Sequence, residues 1–366
     1  MAKMRPVKGL YILDADAYDL VYGPDERGAI AGMIDVIAPA QTRDSIARHL
    51  DLLARAEVIF SGWGGPVLTE EFLDKAPRLR AFFYGGGALG AVVTPAVWDR
   101  GVLVTSAIVA NSIPVAEYTL SAILFSLKHG WRLARQTRER RDFPDRNTAP
   151  GAAGSTIGLI SLGVIARALL KLLAPFDLKV LAYDPYVTPA EADELGVECA
   201  SLDELFARSD VVSLHTPLLE ETEGLITQDH FASMKPHATF INTARAEIVQ
   251  QAAMLAVAAR RPDLQFVLDV SDPEPPEPSS PLYTLPNVVL TPHIAGSVGP
   301  ECRRMGRAMV EELERFVSGR PLKWAVSRDD ARYTSHRPAE WNRSQAEQQT
   351  TSFVRSAAFV AAPGAG

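Results

Sequence analysis

The chain has 366 residues, a length that favours two domains over a single core. Its 47% hydrophobic and 22% charged residues are typical of a soluble globular protein, and a net charge of −7 gives no reason to expect nucleic acid or an anionic membrane as a partner. The two cysteines have the spacing of neither a disulfide framework nor a metal site. Because no signal-like segment occurs, nor any uninterrupted apolar run of about 20 residues, we expect a cytoplasmic protein.

The first hundred residues alternate between strand-like and helix-like segments. Buried strands are predicted at GLYILDA, AEVIFSG, LRAFFYGGG and GVLVTSA, with helices at RDSIARHLDLLARA and TEEFLDKA. This alternation indicates a small parallel sheet. One long helical pattern then runs from Val115 to about Arg141. Its basic second half, RLARQTRERR, raises the alternative of a nucleic-acid contact, but the acidic chain favours a solvated helix face or a dimer contact.

A second alternating series begins at Ser155. Six buried strands are predicted at TIGLIS, KVLAYD, DVVSLH, ATFINT, QFVLDV and NVVLTPH, with helical segments between them, which indicates a doubly wound parallel sheet. A further amphipathic helix is expected to return to the first domain and make it discontinuous. Its apolar residues at helical spacing are Val298, Cys302, Met305, Met309, Leu313 and Phe316. The segment after about Ser327 has no clear period and is expected to be a tail, either disordered or used in assembly.

The stretch STIGLISLGVIAR resembles the dinucleotide fingerprint G-x-G-x-x-G. Ser161 occupies the first glycine position, Gly163 the second and Ala166 the third. The middle glycine matters most, because it lets the backbone approach a pyrophosphate at the helix N-terminus. Ser161 is expected to serve if its φ stays negative. Taken alone, this pattern is as compatible with a plain strand–helix turn.

The next strand favours the dinucleotide hypothesis. It ends in Asp184, about 20 residues after Gly163, where an acidic residue bonds the adenosine ribose hydroxyls. A carboxylate there repels a 2′-phosphate, and the following Pro185 and Tyr186 provide no arginine to bind one. The sequence therefore predicts NAD in preference to NADP.

Polar residues follow three more of the predicted strands. Arg245 comes just after one strand, Asp269 ends the next with Glu274 in the following loop, and His293 follows the last. Each has a simpler interpretation, such as a surface charge, a loop acid or a helix-entry residue. Ligands of open α/β sheets bind outside the carboxyl ends of the strands, however, and these residues converge on that edge.

The chain resembles the D-isomer-specific 2-hydroxyacid dehydrogenase family over about residues 5–325. The stretches that match, in the order of the family, are TIGLISLGVIAR, YDP, VVSLHTPLLEETEGLI, FINTAR, LDVSDPEP and NVVLTPHIAGS. The resemblance implies an α/β fold in which a Rossmann doubly wound parallel sheet, residues 118–297, is inserted in a smaller flavodoxin-like substrate (catalytic) domain, residues 1–117 and 298–326. Residues 327–366 would form the tail. It also implies an active site in the cleft between the domains, and a homodimer.

The resemblance further implies three catalytic residues. Arg245 would bind the carboxylate and 2-oxo oxygen of a small 2-oxo/2-hydroxy acid. His293 would protonate that oxygen as hydride reaches C2, and Glu274 would hydrogen-bond His293 and hold it protonated. The activity expected is hydride transfer between NAD(H) and such an acid, in the D series.

The resemblance also implies which residues bind the cofactor and the substrate. Those expected to bind NAD are Ser161, Gly163, Val164, Ile165, Asp184, His215, Thr216, Pro217, Thr222, Thr243, Ala244, Asp269, Ala295 and Gly296. The turn formed by Tyr84, Gly85, Gly86 and Gly87 would join Arg245 in binding the substrate carboxylate, although a simple strand-end turn explains it equally well.

Departures from the family keep alternatives open. Ala246 and Glu247 replace two usual glycines, Gln250 replaces an acidic residue, and Leu89 stands where an acid is common. The identity of the substrate is therefore open. A formate dehydrogenase is disfavoured because such enzymes carry glutamine in place of Glu274, whereas a phosphite dehydrogenase uses the same three residue types. A non-catalytic NAD-sensing protein, like the transcriptional corepressors of the family, is the alternative from another class.

Overall fold

A computed structural model of the chain describes residues 5–333; residues 1–4 and 334–366, which include most of the predicted tail, lie outside the described part. The strands are β1 (Lys8–Ile12), β2 (Asp35–Val36), β3 (Val58–Ser61), β4 (Ala81–Tyr84), β5 (Leu103–Ser106), β6 (Ser155–Ile160), β7 (Leu178–Tyr183), β8 (Glu198–Cys199), β9 (Val211–Leu214), β10 (Thr239–Asn242), β11 (Gln265–Leu268) and β12 (Val288–Leu290).

The α-helices are α1 (Ala15–Val21), α2 (Pro24–Met33), α3 (Arg43–Ile46), α4 (Leu50–Arg55), α5 (Glu70–Lys75), α6 (Ala96–Asp99), α7 (Ile108–Leu127), α8 (Gly130–Arg140), α9 (Val164–Leu173), α10 (Pro189–Leu195), α11 (Leu202–Arg208), α12 (Gln228–Ser233), α13 (Gln251–Arg260), α14 (Arg303–Val317) and α15 (Arg328–Ala331). Short 3-10 helices occur at Ala246–Ile248, Pro281–Tyr283 and Gly299–Cys302.

The chain divides into two compact units. Among the described residues, unit 1 contains residues 5–111 and 297–333 and unit 2 contains residues 112–296, so unit 2 is inserted in the sequence of unit 1. The first boundary falls inside α7, where a continuous helix offers no change of composition to mark it. The boundaries expected from the sequence were 117/118 and 297/298. In unit 1, the Asn111 side-chain oxygen accepts a hydrogen bond from the Ser297 N–H at 2.9 Å and so ties the two segments together.

Unit 1 is built on a five-stranded parallel sheet in the order β2-β1-β3-β4-β5. This is the flavodoxin-like strand order, and the four strands predicted for this region are all present. The edge strand β2 was not predicted, because its two residues contain no apolar run. The expected α/β fold with a flavodoxin-like unit is confirmed.

The helix α14 completes the core of unit 1, as expected for a discontinuous domain. Met305, Met309 and Leu313 are fully buried there against aromatic residues of the sheet such as Phe60 and Phe83. The prediction for Val298 is wrong, because this residue precedes the 3-10 helix and its side chain is exposed.

The first residues of the predicted tail are ordered in unit 1. Ser327 caps the short helix α15, and Arg328 donates a hydrogen bond to the Pro95 carbonyl at 3.0 Å. Just before it, the Val326 carbonyl accepts a hydrogen bond from the Trp98 indole N–H, also at 3.0 Å. Val326 and Arg328 thus have partners in unit 1, and residues 334–366 of the predicted tail lie outside the described residues.

Unit 2 contains a seven-stranded parallel sheet in the order β12-β11-β10-β9-β6-β7-β8. The order reverses between β6 and β9, which is the topological switch of a doubly wound fold. All six predicted strands are present, and the seventh, β8, is a two-residue exposed edge strand without an apolar signal. Apolar cores cover both faces of the sheet, so the predicted Rossmann architecture is confirmed.

The long helix predicted from Val115 to about Arg141 is wrong as a single element. It starts earlier, at Ile108, and breaks after Leu127, where His129 adopts a left-handed backbone with φ of 49°. Among the described residues α7 is the one helix long and apolar enough to cross a membrane, which a buried core helix also satisfies. Its residues Ile123 and Leu127 lie in the core of unit 2.

We predict that Gly306→Ala destabilises the protein by about 2 kcal/mol, because a Cβ at Gly306 of α14 would lie 2.0 Å from the Val21 carbonyl oxygen. Urea unfolding measures this loss. Gly28→Ala is the matched control, since a Cβ there meets nothing within 4 Å and alanine favours a helix by up to about 1 kcal/mol. Equal stability of Gly306→Ala and the unchanged protein would contradict the close packing of α14.

Candidate active site

The carboxyl edge of the sheet in unit 2 carries the polar residues singled out in the sequence. Because all seven strands are parallel, the residues that follow them share one edge. The residues following β6, β7, β9, β10, β11 and β12 are Ser161, Asp184, His215, Thr243, Asp269 and Thr291.

The turn between β6 and α9 has the features of an anion site. The helix begins at Val164, and within residues 5–333 the N–H groups of Val164 and Ile165 donate to no protein acceptor. Gly163 has φ of −70°, which any residue adopts, and a Cβ there would meet only the Ser161 hydroxyl, at 4.0 Å. Protein packing therefore does not require glycine here, and the open space fits a ligand that approaches the backbone closely.

Ser161 does not meet the condition set from the sequence. Its φ is +76°, in the left-handed region that favours glycine, whereas the condition was a negative φ. The turn retains the geometry of the usual glycine while carrying a side chain. The Ser161 hydroxyl donates to the Asp184 carboxylate at 3.3 Å.

Asp184 anchors this turn from the end of β7. One carboxylate oxygen accepts hydrogen bonds from the Leu162 N–H at 2.8 Å and from Ser161, and the other accepts from the Tyr186 N–H at 2.9 Å. Arg167 donates to the Leu162 carbonyl at 2.8 Å, which holds the turn from the side of α9. Asp184 thus holds the turn between β6 and α9 in place, and its bonds to an adenosine ribose stay a prediction.

The loop after β9 contains four of the predicted cofactor residues. Burial lowers the pKa of His215 to about 4, so its imidazole is neutral near pH 7. Its Nε2 lies 3.0 Å from the Ser213 hydroxyl, and its buried Nδ1 has no partner within the described residues. The Thr216 hydroxyl donates to the Ile160 carbonyl at 3.4 Å. Thr222 donates to the Pro217 carbonyl at 2.7 Å, so its hydroxyl closes the loop.

His293 and Glu274 are in direct contact. His293 Nδ1 lies 2.7 Å from Glu274 Oε1, and both side chains are 45% exposed. The contact joins two loops that are separated by β12 in the sequence. It brings together two of the three predicted catalytic residues, in the pairing that was expected.

Asp269 builds the turn that carries His293. Its buried carboxylate accepts hydrogen bonds from the Thr291 hydroxyl at 2.6 Å, the Ile294 N–H at 2.9 Å and the Ala295 N–H at 2.8 Å. His293 itself has φ of +52° and donates its N–H to the Asp269 carbonyl at 3.0 Å. The predicted contact of Asp269 with nicotinamide stays a prediction, since both carboxylate oxygens already have protein partners.

The third catalytic candidate, Arg245, follows β10. Its Nη1 donates to the Ala244 carbonyl at 2.6 Å, and the Ala244 N–H donates to the Asn242 side-chain oxygen at 2.9 Å. Burial lowers the pKa of the Arg245 guanidinium, while the carboxylates of Glu247 and Glu274 act in the opposite direction. Glu274 therefore interacts electrostatically with Arg245 and is also in direct contact with His293.

Other predicted cofactor residues flank these groups. The Thr243 hydroxyl is 3.5 Å from the Thr119 hydroxyl of α7. Gly296 follows the buried Ala295 at the end of the His293 turn. Neither residue makes a contact within the described structure that would prevent it from binding a cofactor.

In unit 1, the predicted substrate turn follows β4. Tyr84 is a core residue that stacks on Phe82, and burial raises its pKa to about 12. Gly85 donates its N–H to the Ser61 carbonyl at 2.8 Å, so it has no donor left for a ligand and that part of the prediction is wrong. In the part of the chain described here, the N–H groups of Gly86 and Gly87 have no protein acceptor, and their role stays a prediction.

Two residues near the catalytic groups were not predicted from the sequence. Thr291 bonds both Asp269 and the Tyr118 hydroxyl of α7, the latter at 2.9 Å. Gln251, the first residue of α13, contacts the backbone of Asp272 in the loop that carries Glu274. Neither has a periodic or motif-level signal, although Thr291 lies inside the stretch NVVLTPHIAGS.

Comparison with known proteins tests the family expected from these residues. Residues 120–295 match the family model described as D-isomer specific 2-hydroxyacid dehydrogenase, NAD binding domain. The chain is 32% identical over 257 residues to D-3-phosphoglycerate dehydrogenase of Archaeoglobus fulgidus, covering 70% of this chain and 49% of the relative. It is 36% identical over 267 residues to the enzyme of the same name from Mycobacterium leprae, covering 71% and 49%.

A solved structure agrees with these matches. D-lactate dehydrogenase of Aquifex aeolicus, complexed with NAD and lactic acid, has a TM-score of 0.64 at 26% identity, covering 85% of this chain and 96% of that chain. The chain spans about half the length of the curated relatives named above. The predicted NAD-binding domain is confirmed over residues 120–295. Residues 120–295 belong to the NAD-binding domain of the D-isomer specific 2-hydroxyacid dehydrogenase family.

Proposed function

We propose that the protein transfers hydride between NAD(H) and C2 of a small 2-oxo/2-hydroxy acid of the D series. The observation that carries the proposal is the 2.7 Å contact between His293 and Glu274. This contact lies at the same sheet edge as the Arg245 guanidinium and the turn between β6 and α9, which we call the phosphate turn. An acid–base pair, an anion-binding arginine and a dinucleotide turn together are the groups that this reaction requires.

The phosphate turn fits a dinucleotide. Gly163 leaves open space, and the first N–H groups of α9 have no protein acceptor among the described residues. Asp184 at the end of β7 favours NAD over NADP, because its charge opposes a 2′-phosphate. NAD(H), when bound, supplies or accepts the hydride.

His293 is proposed as the acid in reduction and the base in oxidation. Because its Nδ1 faces Glu274, the proton that it can exchange with substrate is on Nε2. In reduction the Nε2 proton goes to the substrate oxygen as C2 gains hydride. Glu274 accepts a hydrogen bond from Nδ1–H and so keeps a proton on that nitrogen, and its negative charge lies beside the positive charge of the imidazolium form.

Arg245 is proposed to bind the substrate carboxylate and the reacting oxygen. Its planar fork can donate two parallel hydrogen bonds to a carboxylate, and only Nη1 has an acceptor among the residues described. Partial burial strengthens such a pair because it reduces solvent screening. The nearby Glu247, which replaces a usual glycine, helps to keep the guanidinium charged.

The substrate class is proposed at the level of a 2-oxo/2-hydroxy acid. The relatives reported above are named for 3-phosphoglycerate and lactate, and their different substrates leave that of this chain open. A homodimer in the cytoplasm, without nucleic acid or membrane partners, stays a prediction from the sequence.

The test of the proposal is NADH oxidation with a panel of glyoxylate, pyruvate, hydroxypyruvate and larger 2-oxoacids. We expect turnover with at least one, and we expect His293→Ala to reduce it by at least about 100-fold while NADH still binds. Turnover that survives in His293→Ala would refute the acid–base role. NAD reduction by phosphite alone would favour the phosphite alternative, and NADH binding without any turnover would favour the NAD-sensing alternative.

Gly163→Ala should weaken NADH binding by about tenfold or more, because its methyl group occupies the space through which a pyrophosphate approaches the turn. Stability should be unchanged or raised by up to about 1 kcal/mol. Fluorescence titration with NADH measures the affinity. Gly28→Ala is again the control, with the same type of substitution in open space but no change in affinity. A Gly163→Ala protein that binds NADH normally would remove the phosphate turn from the proposal.

Glu274→Gln should lower kcat by about 10-fold or more and move the alkaline limb of the pH–rate profile to lower pH. The substitution removes the negative charge that lies 2.7 Å from His293 Nδ1. Steady-state rates across the pH range measure both effects. Glu277→Gln, an exposed acid of the same loop, is the control and should leave the profile in place. An identical profile in Glu274→Gln would exclude the pair from the mechanism.

A further inference from the structure

We propose that Gln251 is a positioning residue for the acid–base pair, acting through the backbone of the loop that carries Glu274. This inference rests on the proposed function. Gln251 does not touch the reacting groups; it holds the segment from which one of them projects.

The contact has two points. The Gln251 side-chain oxygen accepts a hydrogen bond from the Asp272 N–H at 3.2 Å, and its Nε2 donates to the Asp272 carbonyl at 2.5 Å. A primary amide can satisfy both polar groups of one residue in this way, because it carries a donor and an acceptor side by side. The backbone two residues before Glu274 is thereby fixed to the first turn of α13.

The loop needs such an external anchor. Pro273 and Pro275 flank Glu274 and have no N–H, so this stretch has few donors with which to fix itself. The Glu274 side chain is 45% exposed, and packing alone does not hold it. Within the loop, the Ser271 hydroxyl donates to the Pro273 carbonyl at 2.9 Å, which makes the segment around Asp272 a compact unit that Gln251 can orient.

Gln251 is also close to Arg245 in the sequence. A 3-10 helix, Ala246–Ile248, separates Arg245 from α13, so the arginine and Gln251 project from consecutive elements. Gln251 therefore links the loop of Glu274 to the segment of Arg245. A small displacement of Glu274 would be felt at His293, where a reacting geometry tolerates errors well below 1 Å.

The adjacent Gln250 provides a matched control. Its Nε2 donates to the Gly224 carbonyl at 3.1 Å, in a different loop. Two neighbouring glutamines thus make the same type of contact with different loops, and only that of Gln251 leads to Glu274.

The test compares Gln251→Met with Gln250→Met. Methionine keeps the length of the side chain and removes the hydrogen bonds. We expect Gln251→Met to lower kcat by about tenfold, to leave the KM for NADH unchanged and to move the alkaline limb of the pH profile in the direction of Glu274→Gln. Gln250→Met should retain the kcat and profile of the unchanged protein. A Gln251→Met protein with unaltered kcat and pH profile would overturn the inference.

A double variant separates positioning from general stability. If Gln251 acts through Glu274, adding Gln251→Met to Glu274→Gln should lower kcat by less than twofold further. Multiplicative losses would show an independent role and overturn the inference.

One readout does not depend on turnover. In protein labelled with nitrogen-15 at histidine, the Nδ1–H signal of His293 bonded to Glu274 should be present in the unchanged protein and in Gln250→Met, and weakened or lost in Gln251→Met. If no 2-oxoacid is turned over, the proposed function fails, while this signal still decides the positioning role. An undisturbed signal in Gln251→Met would refute it.

Discussion

The arrangement of the catalytic groups depends on the buried carboxylate of Asp269. Three donors from the segment after β12 converge on it, two of them backbone N–H groups that follow His293. Hydrogen bonds to a charged group contribute about 1.5–3 kcal/mol each, whereas a left-handed backbone at a non-glycine residue costs about 1–3 kcal/mol. The carboxylate can therefore hold His293 at φ of +52°, and from that backbone the imidazole reaches Glu274.

A related balance operates at the phosphate turn. Ser161 keeps a conformation suited to glycine, and its hydroxyl and the neighbouring Leu162 N–H both bond Asp184. The cost of the left-handed backbone at Ser161 is offset by these bonds to Asp184, the residue that is expected to bind the adenosine ribose. Gly163 is different, because nothing in the described protein occupies the space beside it. The departure from the usual fingerprint thus falls where the protein can compensate, and the middle glycine of the fingerprint is kept.

The sequence predicts the parts of the fold whose signal is local. Buried parallel strands appear as apolar runs, and for this reason ten of the twelve strands in residues 5–333 could be recognised. The two-residue edge strands β2 and β8 have no such run. The break of the long helix at His129 depends on one left-handed residue inside an otherwise helical pattern.

The site was predictable to the extent that motifs mark it. Arg245, Glu274 and His293 follow from strand ends and from the family resemblance. The partners of Asp269 and the contact of Gln251 join residues about 20 positions apart, and no periodicity encodes such contacts. The backbone angle of Ser161 was also beyond reach, because it is set by bonds to another strand.

The insertion of one unit in the other has a consequence for biosynthesis. Unit 2 occupies a continuous stretch, so all its strands have been translated before α14 begins. One face of the sheet in unit 1, with Phe60 and Phe83, can be covered only after Met305, Met309 and Leu313 of α14 have emerged from the ribosome. During translation, unit 2 can therefore complete its core before unit 1 does. Until α14 has been synthesised, the apolar face of the sheet in unit 1 stays uncovered and accessible to chaperones.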